Sequence, residues 1–112
     1  MSTVAILPDR MGSLANSVVN STSSAISAPA GISGKVIRVY RLFLVVGGAT
    51  NLTFEDGSNA LCGPLPILAN GSIVLDIDGS PWFTTTSGNA FTIANSGSVQ
   101  VSGAVYYYVD NA

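Results

Sequence analysis

The run Val36-Ile37-Arg38-Val39-Tyr40-Arg41-Leu42-Phe43-Leu44-Val45-Val46, closed by Gly47-Gly48, constrains the fold more than any other segment. Its β-branched and aromatic side chains fit the pleated surface of a sheet. Toward Val46 both faces become apolar, so this strand needs cover on two sides, a core on one and a second layer or subunit on the other. It is expected to be central.

Turn chemistry divides the chain beyond Gly48. Asp56-Gly57, Gly63-Pro64, Asn70-Gly71, Asp78-Gly79-Ser80-Pro81, Ser87-Gly88-Asn89 and Asn95-Ser96-Gly97 separate short segments at the spacing of a sandwich or barrel. From 72 to 77, Ile73, Leu75 and Ile77 alternate with Ser72, Val74 and Asp76. In the last segment Val99, Val101, Gly103, Val105, Tyr107 and Val109 alternate with Gln100, Ser102, Ala104, Tyr106 and Tyr108. The first set is expected to face the core, and the tyrosines of the second, with apolar bodies and polar tips, suit an interface. About eight strands and no helix are expected in 34–112. The fold class is all-β: a two-sheet β-sandwich, Greek-key or jelly-roll-like, with an extended N-terminal arm.

The arm is residues 1–33 and the sandwich domain 34–112. Residues 16–27 are thin in apolar side chains and rich in Ser, Asn and Thr, while Val4, Ile6 and Leu7 form a short extended anchor ending at Pro8. A helix over 10–19 is an alternative, weakened by Gly12 and the Ser/Asn content. Val4, Ile6, Leu7, Met11 and Leu14 are the arm's candidate partner-binding residues.

The surface must be nearly neutral, because only 9% of the 112 residues are charged against 47% apolar, where roughly a quarter charged is usual. A monomer usually guards its edges and faces with charge, so this deficit favours a chain that ends inside an assembly. Arg38, Tyr40 and Leu42 at one parity of the long strand, with Tyr106 and Tyr108, are the candidate oligomer interface. Strand alternation would put Arg38 and Arg41 on opposite faces. With a net charge of −2 and one short basic cluster, Lys35, Arg38 and Arg41, nucleic acid is not expected as a partner. The first residues lack a secretory signal and no apolar run reaches membrane-spanning length, so no membrane association is expected.

Catalytic ingredients are scarce: no His, one Cys, one Lys and six acids. A carboxylate pair such as Asp56 with Asp78 could serve a glycan hydrolase, but both precede Gly at turns, where Asp is favoured for backbone reasons. The stretch 76–80 lacks the later ligands of a calcium loop. Cys62, in an apolar setting, reads as a small buried hydrophobe. No enzyme activity, metal or cofactor is expected. Trp82 with the tyrosines could form a sugar-stacking platform, although Trp is usually highly buried, which favours Trp82 and Phe83 plugging the sandwich end.

Five segments carry a resemblance: Gly34-Lys35-Val36-Ile37-Arg38-Val39-Tyr40, Gly48-Ala49-Thr50 to Phe54, Ala60-Leu61-Cys62-Gly63-Pro64, Trp82-Phe83, and Ser98-Val99-Gln100-Val101-Ser102-Gly103. Together they resemble the small β-domain that recurs among tailed-bacteriophage structural proteins, over residues 34–108. The resemblance implies a virion component, made in the host cytoplasm and located on the capsid surface. A free-standing chain of this kind would most resemble a head decoration or cement protein, whose partners are the major capsid protein or other virion subunits and its own copies. The two-sided apolar strand 36–46 and the tyrosine face of the last strand favour a homotrimer. Similar domains resemble parts of tail or fibre proteins, and a carbohydrate- or receptor-binding tip using Trp82 and the tyrosines is the rival reading.

Overall fold

The computed structural model describes residues 14–112. Ten strands form the fold: β1 (Ala15–Ser21), β2 (Ala25–Ser27), β3 (Lys35–Val46), β4 (Thr50–Asp56), β5 (Asn59–Ala60), β6 (Leu65–Ile67), β7 (Ser72–Leu75), β8 (Phe83–Thr84), β9 (Phe91–Asn95) and β10 (Val101–Asn111). All pairings are antiparallel. Sheet A runs β1-β10-β3-β7, with β8 also on β3; sheet B runs β2-β9-β4-β5, with β6 also on β4. The fold is a two-sheet β-sandwich without helices among the described residues. Eight strands lie in 34–112, as expected, and β3 has partners on both edges.

The core lies between the sheets. Ile37, Val39, Leu42, Leu44 and Val46 of β3 and Val101 and Val105 of β10 meet Leu52, Phe54, Phe91 and Ile93 of sheet B, all fully buried. Fully burying each such side chain contributes about 1.5–3 kcal/mol. Phe83 completes an aromatic cluster, its ring centroid 5.2 Å from Phe54 and 5.6 Å from Phe91. Ile73 and Leu75 of β7 and Tyr107 of β10 pack against this core, as the alternation of their strands predicts, and Val99 joins them from the β9–β10 link.

Three expectations are corrected. First, the boundary at 33/34 does not divide arm from domain. β1 pairs with β10 along its whole length and β2 pairs with β9, burying Val19 and Ile26 in the core. The apolar content is thin because an edge strand needs few inward residues. Second, Tyr40 and Leu42 do not form an outer surface. In the β3–β10 ladder Val39 pairs with Tyr107 and Arg41 with Tyr106, leaving Tyr40 as an extra residue. This β-bulge reverses the parity of β3. Ile37 and Val39 point inward before it, Leu42, Leu44 and Val46 after it, and Tyr40 is itself buried. Third, the same reversal places Arg38 and Arg41 on one face, not two.

Buried polar groups pin the sheets at one end. Asn95, fully buried, donates from Nδ2 to the carbonyls of Val99 (2.7 Å) and Ser23 (3.2 Å) and accepts at Oδ1 from Thr50 Oγ1 (2.8 Å). Thr50 Oγ1 in turn accepts from the Gly97 N–H at 2.9 Å. One amide thereby joins the β1–β2 link, the start of β4 and the β9–β10 link.

Candidate functional site

The outer face of sheet A follows from the register. Val18 pairs with Ala104, Ala104 with Phe43 and Phe43 with Val74, so one apolar row crosses β1, β10, β3 and β7. Val18 is 73% exposed and Val74 59%. Beside it runs a row of Asn20, Ser102, Val45 and Ser72, in which Val45 is 47% exposed. These side chains sit on strands whose opposite parity is committed to the core, so the fold cannot turn them inward without reversing the core.

On the other side of the apolar row lie the cations. Arg41 Nε is 3.1 Å from Asp76 Oδ1, and the guanidinium carbon lies 5.1 Å from the centroid of Tyr106 and 5.4 Å from that of Phe43. Arg38 Nε is 3.2 Å from Asp110 Oδ2, a diagonal cross-strand pair, since Arg38 lies opposite Tyr108. Lys35 Nζ donates to Asn111 Oδ1 at the end of the same ladder. Such half-exposed pairs contribute little stability. Their consequence is electrostatic: both arginines are matched locally, and the face carries little net charge.

Of the expected interface residues, Arg38, Tyr106 and Tyr108 are on this outer face and half-buried, whereas Tyr40 and Leu42 are not on it. Leu14 is half-buried immediately before β1. The remaining arm residues, Val4, Ile6, Leu7 and Met11, lie outside the described residues. Val18, Val45 and Val74 were not named as interface residues; the signals were Val18 beside Val19 in a stretch read as arm, the two apolar faces of the long strand toward Val46, and the parity of Val74 opposite Ile73 and Leu75.

Trp82 is 43% exposed instead of plugging the sandwich end. Only Phe83, the first residue of β8, packs against the core, while Trp82 precedes the strand and stays outside. The Trp82 backbone N–H donates to the Val39 carbonyl at 2.8 Å and its indole N–H to the Asp76 carbonyl at 2.7 Å. Trp82 thus stands near the Arg41–Asp76 pair with its ring orientation fixed.

Asp56 is engaged within the fold. Asp56 is 6% exposed, and its Oδ1 accepts from Thr86 N–H (3.0 Å), Thr86 Oγ1 (3.3 Å) and Asn89 Nδ2 (3.0 Å). It fastens the 86–89 turn while Gly57, at φ 63°, opens the two-residue β4–β5 turn. No hydrogen bond joins it to Asp78, which is exposed beyond β7. Cys62 is partly buried against the core, its Sγ accepting from the Phe54 N–H at 3.4 Å. Among the described residues no cluster of three His, Cys, Asp or Glu side chains could hold a metal. An open cleft of about 340 Å³ on the sheet B side is lined by Thr50, Asn51, Pro66, Ile67, Leu68 and Ser96, with no titratable group.

Compared with family models, curated proteins and solved structures, the chain matches none.

Proposed function

We propose that this chain is a non-enzymatic virion structural protein, a capsid decoration or cement protein that self-associates and binds the shell. The observation that carries the reading is the outer face of sheet A, where Val18, Phe43, Val45 and Val74 are presented beside two internally matched ion pairs. Exposed apolar surface of this kind marks contact with other macromolecules, and a neutral face meets a neighbour without the cost of burying unpaired charge. Arg38, Tyr106 and Tyr108 border the contact. Val4, Ile6, Leu7, Met11 and Leu14 are assigned to the shell, where ordering a segment costs about 1–2 kcal/mol per residue and must be offset by apolar contact. The oligomer is closed and symmetric; a threefold arrangement of the outer faces gives the trimer expected from the sequence.

Quantitative mass spectrometry of purified virus particles tests the reading. The chain is expected in many copies, at a fixed ratio to the major shell subunit. Absence from the particle, or a few copies only, refutes shell decoration, and a few copies would fit a tail component.

A second reading, a carbohydrate- or receptor-binding tip, is favoured by one observation: the exposed Trp82 ring, held by the carbonyl of Asp76, whose carboxylate pairs with Arg41. An oriented aromatic face beside hydrogen-bonding groups is what a sugar ring stacks on. Binding on a glycan array that Trp82→Ala abolishes would establish it, and an array without signal would remove it.

A further inference from the structure

The edges of the two sheets are not alike. A free sheet edge presents unpaired N–H and C=O groups that template another strand, and proteins blunt such edges with brevity, proline, charge or bulges. In sheet A, β7 has four residues and is followed by Asp76, and β8 has two and begins two residues after Pro81. In sheet B, β2 has three residues, β5 has two, and β6 is three residues with Pro66 at its centre. Against these, β1 is seven residues long, lies at the end of sheet A, and pairs with β10 without a register shift. It contains no proline and no charge, and no charged residue occurs between Arg10 and Lys35. Among the described strands it is the one long edge without protection.

We propose that the free edge of β1 is the site where a second copy of this chain binds, strand against strand about a twofold axis, joining two copies of sheet A into one continuous sheet. This deepens the self-association proposed above and rests on it. The sequence of β1 is self-complementary in the antiparallel register centred on Val18: Val18 meets Val18 of the second copy, Asn16 meets Asn20, Ser17 meets Val19 and Ala15 meets Ser21. In such a ladder opposed side chains share a face. The two Val18 side chains therefore meet on the outer surface, and the apolar row from Val74 to Val18 continues into its twofold mate. Asn16 and Asn20 provide amide pairs on either side. A second copy suits this edge because the edge carries no charge that could repel its own twofold image.

A seven-residue edge buries less than the roughly 800 Å² per partner of a standard interface. The pairing is therefore concentration-dependent in solution and is reinforced where many copies are held side by side, as on a shell, by their high effective concentration. The twofold contact joins copies in pairs in solution; the threefold arrangement proposed above is a separate contact, made on the shell by other residues of sheet A.

The test uses the full chain and substitutions at Val18, whose 73% exposure leaves the fold intact. Light scattering across a concentration series is expected to show a reversible rise from 11.4 kDa to twice that mass. Val18→Lys, which sets two cations directly opposite each other, is expected to raise the dissociation constant about tenfold or more, while Val18→Thr retains pairing. Val18→Cys is expected to form a disulfide-linked dimer on mild oxidation under conditions in which the parent chain, with Cys62 alone, forms none. Circular dichroism and the thermal midpoint of each variant report folding separately. A chain that stays monomeric to millimolar concentration overturns the proposal, as does an oligomer, trimer included, that is indifferent to Val18→Lys and gives no Val18→Cys crosslink. If removal of residues 2–13 is needed before pairing occurs, the edge is covered by the chain's own first residues, and the proposal also fails. The copy number in particles is independent of all these outcomes, so shell binding can stand when edge pairing falls.

Discussion

Replacing Asn95 by Ala deletes a fully buried amide that makes three side-chain hydrogen bonds, to Val99, Ser23 and Thr50. Each contributes about 1 kcal/mol net, and an acceptor left unpaired away from water costs about 1–3 kcal/mol. Ser23 is exposed, so its carbonyl can recover water, while the Val99 carbonyl and the Thr50 hydroxyl are less able to. The expected loss is about 3 kcal/mol, a fall in Tm of roughly 10–15 °C for a domain of this size. Urea denaturation with an unchanged m-value would assign the loss to stability and not to a change in the unfolded chain. Thr50→Val removes one shared bond, so the double variant should be less destabilised than the sum of the singles. Asn95→Asp adds a sign test. Its carboxyl would face two carbonyl oxygens in a buried place, raising its pKa above the unfolded value. The folded state then holds its proton to higher pH, so stability is retained at low pH and lost as pH rises through the raised pKa. A loss below about 1 kcal/mol for Asn95→Ala, or strict additivity with Thr50→Val, would refute the pinning role.

Gly103, at φ +147°, has no room for a side chain: a Cβ there would lie 1.9 Å from the Phe43 carbonyl oxygen, so Gly103→Ala should cost several times the about 1 kcal/mol of an average substitution, measured by thermal unfolding. Leu42→Ala should destabilise by about 2–5 kcal/mol without specifically altering oligomer mass, whereas Arg38→Ala should change stability by under about 1 kcal/mol; the reverse would restore Leu42 to the surface. Asp56→Ala should loosen the 86–89 turn, read as faster amide exchange at Thr86. Trp82→Ala should remove the indole fluorescence with only a small effect on the thermal midpoint, since Phe83 and not Trp82 fills the core.

The parts of the fold that were legible owe this to alternation. Ile73 and Leu75 against Val74, and Val101, Val105 and Tyr107 against Ser102 and Tyr106, could be assigned to faces because each strand is regular and one face is buried. β3 was legible as a strand but not as two parities. The bulge at Tyr40 is created by pairing with β10, more than sixty residues away, and no local signal marks it. That single extra residue misplaced Tyr40 and Leu42 and separated Arg38 from Arg41. β1 was illegible for a different reason. An edge strand contributes one face to the core through few residues, and Val19 and Ile26 sit among Ser and Asn that resemble a linker. Asn95 belongs to a turn tripeptide, where its backbone preference hides the buried work of its side chain.

Hydrogen–deuterium exchange on the full chain, compared between dilute and concentrated solution and between free and particle-bound states, tests most directly that sheet A is the associating layer. Protection should grow in β1 and along the β3–β7 side of sheet A while β5 and β6 of sheet B exchange unchanged. Protection confined to β5 and β6, or none in any state, would contradict the account.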